Sequence, residues 1–185
     1  MRAPARTDSA DPRAARVRDG LRRAAFELIE RRRVEKISVS DITQRAGVSR
    51  QVFYQHFRDR DDAVSSAVAA SLQAAAAETV GEQPVALIHR LCDYTAEHAG
   101  LYRNLYPSAA SQQTADAYRD LIRPACEQLA AGLAKRPADA LADFLIGGII
   151  EVSRQQDEHA DTAARANDLR ARIDTCLEAV GVQVS

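Results

Sequence analysis

Tryptophan is absent from this 185-residue chain, which carries only 4 phenylalanines, 5 tyrosines and 8 glycines. Runs of β-branched residues are few. Sheets draw on β-branched and aromatic side chains, so a sheet architecture is not expected. The abundance of Ala, Leu, Arg and acidic residues favours helices. The 3 cysteines, Cys92, Cys126 and Cys176, are odd in number and far apart. They exclude a disulfide framework and read as buried thiols in a reducing compartment. The first residues, MRAPARTDSADPRAAR, hold no apolar core of a secretory signal. The longest apolar run, FLIGGII at 144–150, falls far short of the ~20 residues that cross a bilayer. The expected protein is soluble and cytoplasmic, with no membrane partner.

Catalytic patterns are missing as well. There is no glycine-rich phosphate loop, no nucleophile elbow and no recognisable Ser/His/acid set. His89 and Cys92 stand three residues apart on one helix face, but no second pair follows to complete the three or four ligands of a zinc site. No catalytic residue, metal ligand or cofactor is assigned.

What is present is a charge asymmetry hidden by a net charge of -1. Residues 1–60 hold 15 Lys and Arg against 8 Asp and Glu, and residues 61–185 hold 10 against 18. A basic first third on an acidic remainder is the electrostatic footprint of a nucleic-acid-binding module joined to another domain.

The pattern along the chain reads as about nine helices, no strand and no repeat. Residues 1–10 form an expected disordered basic arm. Asp11-Pro12 opens a first helix, with Val17, Leu21, Ala24 and Leu28 at helical spacing, ending near ERRRV. Ser38 stands three residues before Asp41, close to a capping box, and Gly47 supplies a left-handed stop after Ala46. Ser49 caps the next short helix, RQVFYQHF. A helix over 38–46, a glycine turn and a helix over 49–56 have the layout of a helix-turn-helix. Beyond it, a fourth helix runs to Gly81 and a fifth from Pro84 to Gly100. LYRNLYPS reads as a short turn of helix or a loop, QTADAYRDLIRPACEQLAAGLAK as a helix kinked at Pro124, and two long helices close the chain.

In a helix-turn-helix the second helix enters the major groove. Arg50 and Gln51 lie in its leading turn, where Arg can bond guanine O6 and N7 and Gln can bond adenine N6 and N7. Val52 is placed to meet a thymine methyl. Tyr54 and His56, a turn later, can reach phosphates, and so can Arg60 at the start of the following helix.

The stretch SVSDITQRAGVSRQVFYQHFRDRDDAV resembles the DNA-binding region of the TetR family of transcriptional regulators, over roughly residues 13–64. The family pattern Ala-Gly-Val-Ser followed by Tyr-x-x-Phe is met at Ala46 to Ser49, Tyr54 and Phe57. Thr43 stands where Ala is common, Val52 where a small or hydroxyl residue is common, Arg60 in place of Lys and Val64 in place of Leu. The resemblance implies an all-α protein. A three-helix DNA-binding domain (11–60) would be joined through a fourth helix to a ligand-binding and dimerising bundle (61–185). It implies Ser38 as the cap of the second helix, Ser40 as a contact near the DNA, and Ser49, Arg50, Gln51 and Val52 as the recognition tip. Tyr54 and His56 become phosphate contacts.

The resemblance further implies a homodimer on a palindromic operator, acting as a repressor and released by a small molecule in the bundle. The expected dimer face takes Phe144, Gly147, Gly148, Ile149 and Val152 from the eighth helix. From the ninth it takes Leu169, Ile173, Leu177 and Val180. An effector pocket among helices 4 to 8 would draw on His89, Tyr94, His98, Tyr102, Tyr106, Tyr118 and Arg123. The alternatives are a helical protein-interaction module and an enzyme hidden in the bundle.

Overall fold

The computed structural model describes residues 12–79, 81–133, 138–154 and 161–183. The expected N-terminal arm and the Asp11 cap lie outside them. Among the described residues there are nine α-helices and no strand. Helix α1 (Pro12–Ile29) buries Leu21, Ala24, Ala25 and Ile29, while Val17 and Leu28 are half-buried. It stops at Ile29, and a single 3₁₀ turn, Val34–Lys36, drops Val34 into the core.

Helix α2 (Val39–Ala46) opens on a complete capping box. The Asp41 amide donates to Ser38 Oγ at 3.1 Å, and the Ser38 amide donates to Asp41 Oδ2 at 2.8 Å. An aspartate does here what Glu or Gln does in the common form. The Ser38 hydroxyl and amide hold the Asp41 carboxyl below its ordinary range, with Arg32 helping. Gly47 follows at φ 68°, ψ 30°, and the Val48 amide returns to the Thr43 carbonyl at 3.0 Å. Only glycine takes that left-handed conformation without a steric penalty.

Helix α3 (Arg50–His56) has two turns and is capped by Ser49, whose Oγ accepts from the Val52 amide at 3.3 Å. Helix α4 (Arg60–Ala77) is capped by Asp59 in the same way. It runs along α1 on one side and α7 on the other. Phe53 and Phe57 are buried against each other, with ring centroids 5.7 Å apart, inside this three-helix unit.

The bundle that follows departs from the sequence expectation at several helix boundaries. Helix α5 (Pro84–Glu97) ends three residues before Gly100, because His98 breaks the helix at φ −106°, ψ 25°. Its ring lies 4.4 Å from Tyr94 and 5.5 Å from Phe26, centroid to centroid. Gly100 sits inside α6 (Ala99–Leu105), so LYRNL takes the helical one of its two expected forms. Helix α7 (Ala109–Leu133) starts four residues before Gln113. Ser108 and Ser111 exchange amide-to-hydroxyl bonds of 3.2 and 3.1 Å across that first turn. It then continues through Pro124.

Helices α8 (Ala138–Arg154) and α9 (Thr162–Ala179) complete the bundle. Helix α8 packs on α7, and α9 packs chiefly on α5. Two polar bridges, Arg170 to Asp93 and His89 Nε2 to Asp174 Oδ1 (2.6 Å), run along the α5–α9 seam. Cys92 and Cys126 are buried, and burial pushes the Cys126 thiol up to about 11. Cys176 is exposed, contrary to the expectation of three buried thiols.

Two glycines with nothing within 4 Å of an added Cβ, Gly20 in α1 and Gly47 in the turn, separate backbone strain from crowding. Gly20→Ala is expected to stabilise the protein by about 0.5–1 kcal/mol through helix propensity. Gly47→Ala is expected to destabilise it by about 1–2 kcal/mol through its positive φ. Urea unfolding of both variants reads the two signs, and a shared sign would refute the assignment of Gly47 as a conformational requirement.

Candidate nucleic-acid interface and effector cavity

The polar residues of α3 are presented by the apolar ones. With Phe53 fully buried and anchoring one face, helical periodicity turns Arg50, Gln51, Tyr54 and Gln55 outward, and all four are exposed. Tyr54 keeps 53% of its surface open, and its ring meets Phe53 edge-on at 5.3 Å. Val52 and His56 are half-buried at the flanks. Burial, together with the charge of Arg18, lowers the His56 imidazole below its ordinary value of 6.5. The ring is therefore a neutral N–H donor at pH 7. Ser40 and Ser49 are exposed beside this face, Ser49 with its oxygen engaged as a cap. Ser38 is spent on the capping box.

Arg60 does not stand free. Its Nε donates to Asp61 Oδ1 at 2.7 Å and its Nη1 to the Ile37 carbonyl at 3.3 Å. These bonds tie the start of α4 to the segment before α2. Arg45 pairs with Glu27, joining α2 to α1. The basic excess of the first third is thus partly consumed in holding the three helices together, while Arg50 has no ion-pair partner among the described residues.

A cavity of about 380 Å³ opens on the other half of the molecule, a volume within the range of small-molecule sites. Of the seven residues expected at an effector pocket, Tyr102, Tyr106 and Tyr118 line it. His98 and Tyr94 stack on each other behind α6 and do not line it. His89 is held by Asp174 on the α5–α9 seam, and Arg123 lies at the surface beside Asp143. Helix α4 contributes nothing, whereas α9 contributes Arg165, so the cavity belongs to α5–α9 and not to helices 4 to 8.

The sequence reading missed Thr95, Thr114, Ser153, Arg103, Arg154 and Arg165, all of which line the cavity. Thr114 stands four residues before Tyr118 on one face of α7, a spacing visible in the sequence. The α8 and α9 contributions follow only from how those helices are packed.

The interior is polar in an unusual way. The hydroxyls of Tyr102, Tyr118 and Thr114 are inaccessible to solvent and make no hydrogen bond of ordinary geometry among the described residues, although Thr95 stands near the Tyr102 phenol, and Ser153 and Thr95 near that of Tyr118. Burial raises the pKa of both phenols, so each remains a donor at neutral pH. Buried hydroxyls are normally satisfied by protein or by another bound group.

The cavity also touches the first three helices through α6. Asn104 Nδ2 donates to the Ile29 carbonyl at 2.8 Å, and Arg33 Nη2 donates to the Tyr106 carbonyl at 2.8 Å. His98 Nδ1 lies 3.5 Å from Glu30 Oε1. A second connection runs through α7, where Ser65 Oγ of α4 donates to Gln113 Oε1 at 2.6 Å, next to Thr114.

The expected dimer residues divide by exposure. Phe144 keeps 67% of its surface open, and a Cβ added at Gly147 or Gly148 beside it would meet nothing within 4 Å. Val152 and Val180 are half-buried. Ile149, Leu169, Ile173 and Leu177 are buried within the chain, so the apolar stripe of α9 is core. No group of three or more His, Cys, Asp or Glu able to hold a metal ion is present among the described residues. No helix there is long and apolar enough to cross a membrane.

Comparison with known proteins agrees with this geometry. Residues 21–66, from the middle of α1 to the first turns of α4, match the family model of bacterial regulatory proteins of the tetR family. No curated protein matches the chain in sequence. Among solved structures, FadR of Thermus thermophilus is a TetR-family repressor solved with lauroyl-CoA. It superposes with a TM-score of 0.64 at 20% identity, over 91% of this chain and 96% of that one. A TetR-family regulator from Streptomyces coelicolor gives a TM-score of 0.62 at 18% identity, over 90% and 82%. One from Rhodococcus sp. gives 0.61 at 20% identity, over 88% and 99%. The chain therefore carries a TetR-family N-terminal region on the all-α fold of the TetR-family transcriptional regulators.

Proposed function

We propose that this protein is a repressor that binds a palindromic operator as a homodimer and is released by a small molecule held among α5–α9. The observation that carries the reading is the conjunction of two sites in one chain. Arg50, with no ion-pair partner among the described residues, and an exposed Gln51 stand at the tip of a capped, core-anchored α3, and a cavity with buried hydroxyls is tied, through hydrogen bonds of α6 and Tyr106, to the end of α1 and Arg33.

Ser49, Arg50, Gln51 and Val52 form the reading tip, with Ser40, Tyr54 and His56 toward the phosphates. Arg60 acts mainly by position, holding α4 against α2. The α8 surface around Phe144, Gly147 and Gly148 is the exposed part of the dimer face, since an apolar ring beside two bare glycines lets a second backbone approach closely. Residues 11–60 serve as the DNA-binding part and 61–185 as the sensing and dimerising part.

Release follows from linkage. A ligand that binds better when α6 and α7 are displaced weakens operator binding, and the operator weakens ligand binding by the same factor. Helix α4 moves because α7 carries it and α1 is pulled from the other side; the ligand does not touch it. Two-fold symmetry requires half-sites about 34–36 Å apart, so a small change in the separation of the α3 helices suffices.

Fluorescence anisotropy on duplexes tiled from the region upstream of the coding sequence, at several salt concentrations, tests the reading. A tight, salt-dependent complex on one palindromic tile is expected, with random DNA far weaker. Weak and uniform binding to all tiles would refute it. Arg50→Ala is expected to cost about 1–3 kcal/mol on the cognate tile and to relax its base preference. Equal losses on cognate and random duplexes would remove Arg50 as a base reader.

The lowered His56 pKa adds a pH dependence with a definite sign. In the free protein, Arg18 and burial disfavour the imidazolium; a phosphate beside the ring favours it and raises the pKa again. Complex formation then takes up a proton, so operator affinity rises as the pH falls through and below about 6.5. The proton-linked slope is expected to vanish in His56→Gln, and an unchanged slope in that variant would place His56 away from the phosphates.

A further inference from the structure

The cavity has a charge that its surroundings do not explain. Residues 61–185 hold 18 acidic against 10 basic residues, yet among the described residues the lining contains three arginines and no carboxylate. Arg103, Arg154 and Arg165 come from α6, α8 and α9, so their convergence is a product of packing and not of a local charge run.

Neighbouring groups orient two of them. The Arg154 guanidinium lies 5.1 Å from the Tyr106 ring centre and 3.8 Å from Glu151, an exposed and loose pair. Arg165 donates to the Ala96 carbonyl at 3.1 Å. Arg103 is exposed at the same mouth. Exposure sorts the cavity into a cationic rim and a buried interior, where the Tyr102, Tyr118 and Thr114 hydroxyls make no hydrogen bond of ordinary geometry among the described residues and the phenols have only Thr95 and Ser153 nearby. Between them the wall is apolar, formed by Ala99, Pro107, Ala115 and Ile150 with the faces of the tyrosine rings.

Resting on the effector-cavity reading above, we propose that the ligand is an apolar organic oxyanion. Its carboxylate or phosphate monoester head meets Arg103 and Arg154 at the rim, and its far end offers an acceptor to the buried hydroxyls. Guanidinium groups bind both oxyanions through paired N–H donors. A lipophilic cation would place its charge against the three arginines. A pure hydrocarbon would offer these buried hydroxyls no acceptor.

Isothermal titration calorimetry of the full chain tests this with matched probes on a biphenyl body and on a decyl body. Each carries a carboxylate, a phosphate monoester, a neutral carboxamide or a trimethylammonium group. At least one oxyanion is expected to bind ten-fold or more tightly than its carboxamide, and carboxylate against phosphate decides the head. The double variant Arg103→Gln, Arg154→Gln is expected to bring that oxyanion down to the carboxamide's affinity. The carboxamide itself should stay within about two-fold, which shows that the cavity remains folded. A 4′-acetyl group on the biphenyl oxyanion is expected to tighten binding in the parent protein and to lose that gain in Tyr118→Phe.

Equal affinity for oxyanion and carboxamide, preference for the ammonium probes, or no heat from any probe at millimolar concentration would overturn the proposal. Operator anisotropy with the same probes separates it from the regulatory reading. An oxyanion that binds through the arginines and leaves operator affinity unchanged sustains the ligand class and removes the effector role. Operator release by carboxamides as readily as by oxyanions sustains the effector role and removes the ligand class.

Discussion

A two-turn helix has no stability of its own in water, because its nucleation cost exceeds the few hydrogen bonds it forms. Helix α3 exists because Phe53 is fully buried, with Phe57 beside it, in the angle between α1, α2 and α4. Losing such a side chain from a packed core costs about 3–5 kcal/mol, a large fraction of a small domain's stability. The whole polar face, Arg50 to Gln55, inherits its orientation from that one anchor. The Ser49 cap and the Gly47 turn set where the helix begins and in which direction it points. The outward residues are therefore free to vary in chemistry while the inward ones fix the geometry.

The same economy governs the contact between the two ends of the molecule. Helix α6 has only seven residues, and one of its faces lines the cavity through Tyr102 and Arg103. Its other side is fastened to the end of α1 by Asn104, while the adjoining Tyr106 carbonyl is held by Arg33. A short helix with a packed face on each side cannot shift against one without disturbing the other, since interiors are close-packed and transmit displacement. The break at His98 separates α6 from α5.

Charge is distributed by task. Around the first three helices, arginines close ion pairs that hold elements together, as Arg45 does with Glu27 and Arg60 with Asp61, and Arg50 is left over at the tip. On the α5–α9 seam, Arg170 and Asp93 do the same. At the cavity, arginines from three helices gather without a carboxylate among the described lining residues. A summed net charge of -1 describes none of these regions.

The local features were legible in the sequence because each is decided within a few residues. The Ser38–Asp41 box, the left-handed Gly47, the Ser49 cap and the inward spacing of Phe53 and Phe57 are all short-range consequences of side-chain chemistry and helical period. The class of fold followed from the same periodicity. Where the competition was between a local stop and a long-range contact, the long-range contact won. Helix α5 ends at His98, packed against Phe26 of α1, and not at Gly100. The same holds for the α9 stripe of Leu169, Ile173 and Leu177, whose spacing announces a buried face without saying whether the partner is another helix of the same chain or a second copy; here α5 and α8 cover it. The cavity was the least legible of all, because its composition is a sum over five helices. Sequence alone determined that Tyr118 and Thr114 share a face of α7. Only tertiary packing decided that this face meets Tyr102 of α6, Arg154 of α8 and Arg165 of α9, since the angles at which helices cross depend on every side chain between them.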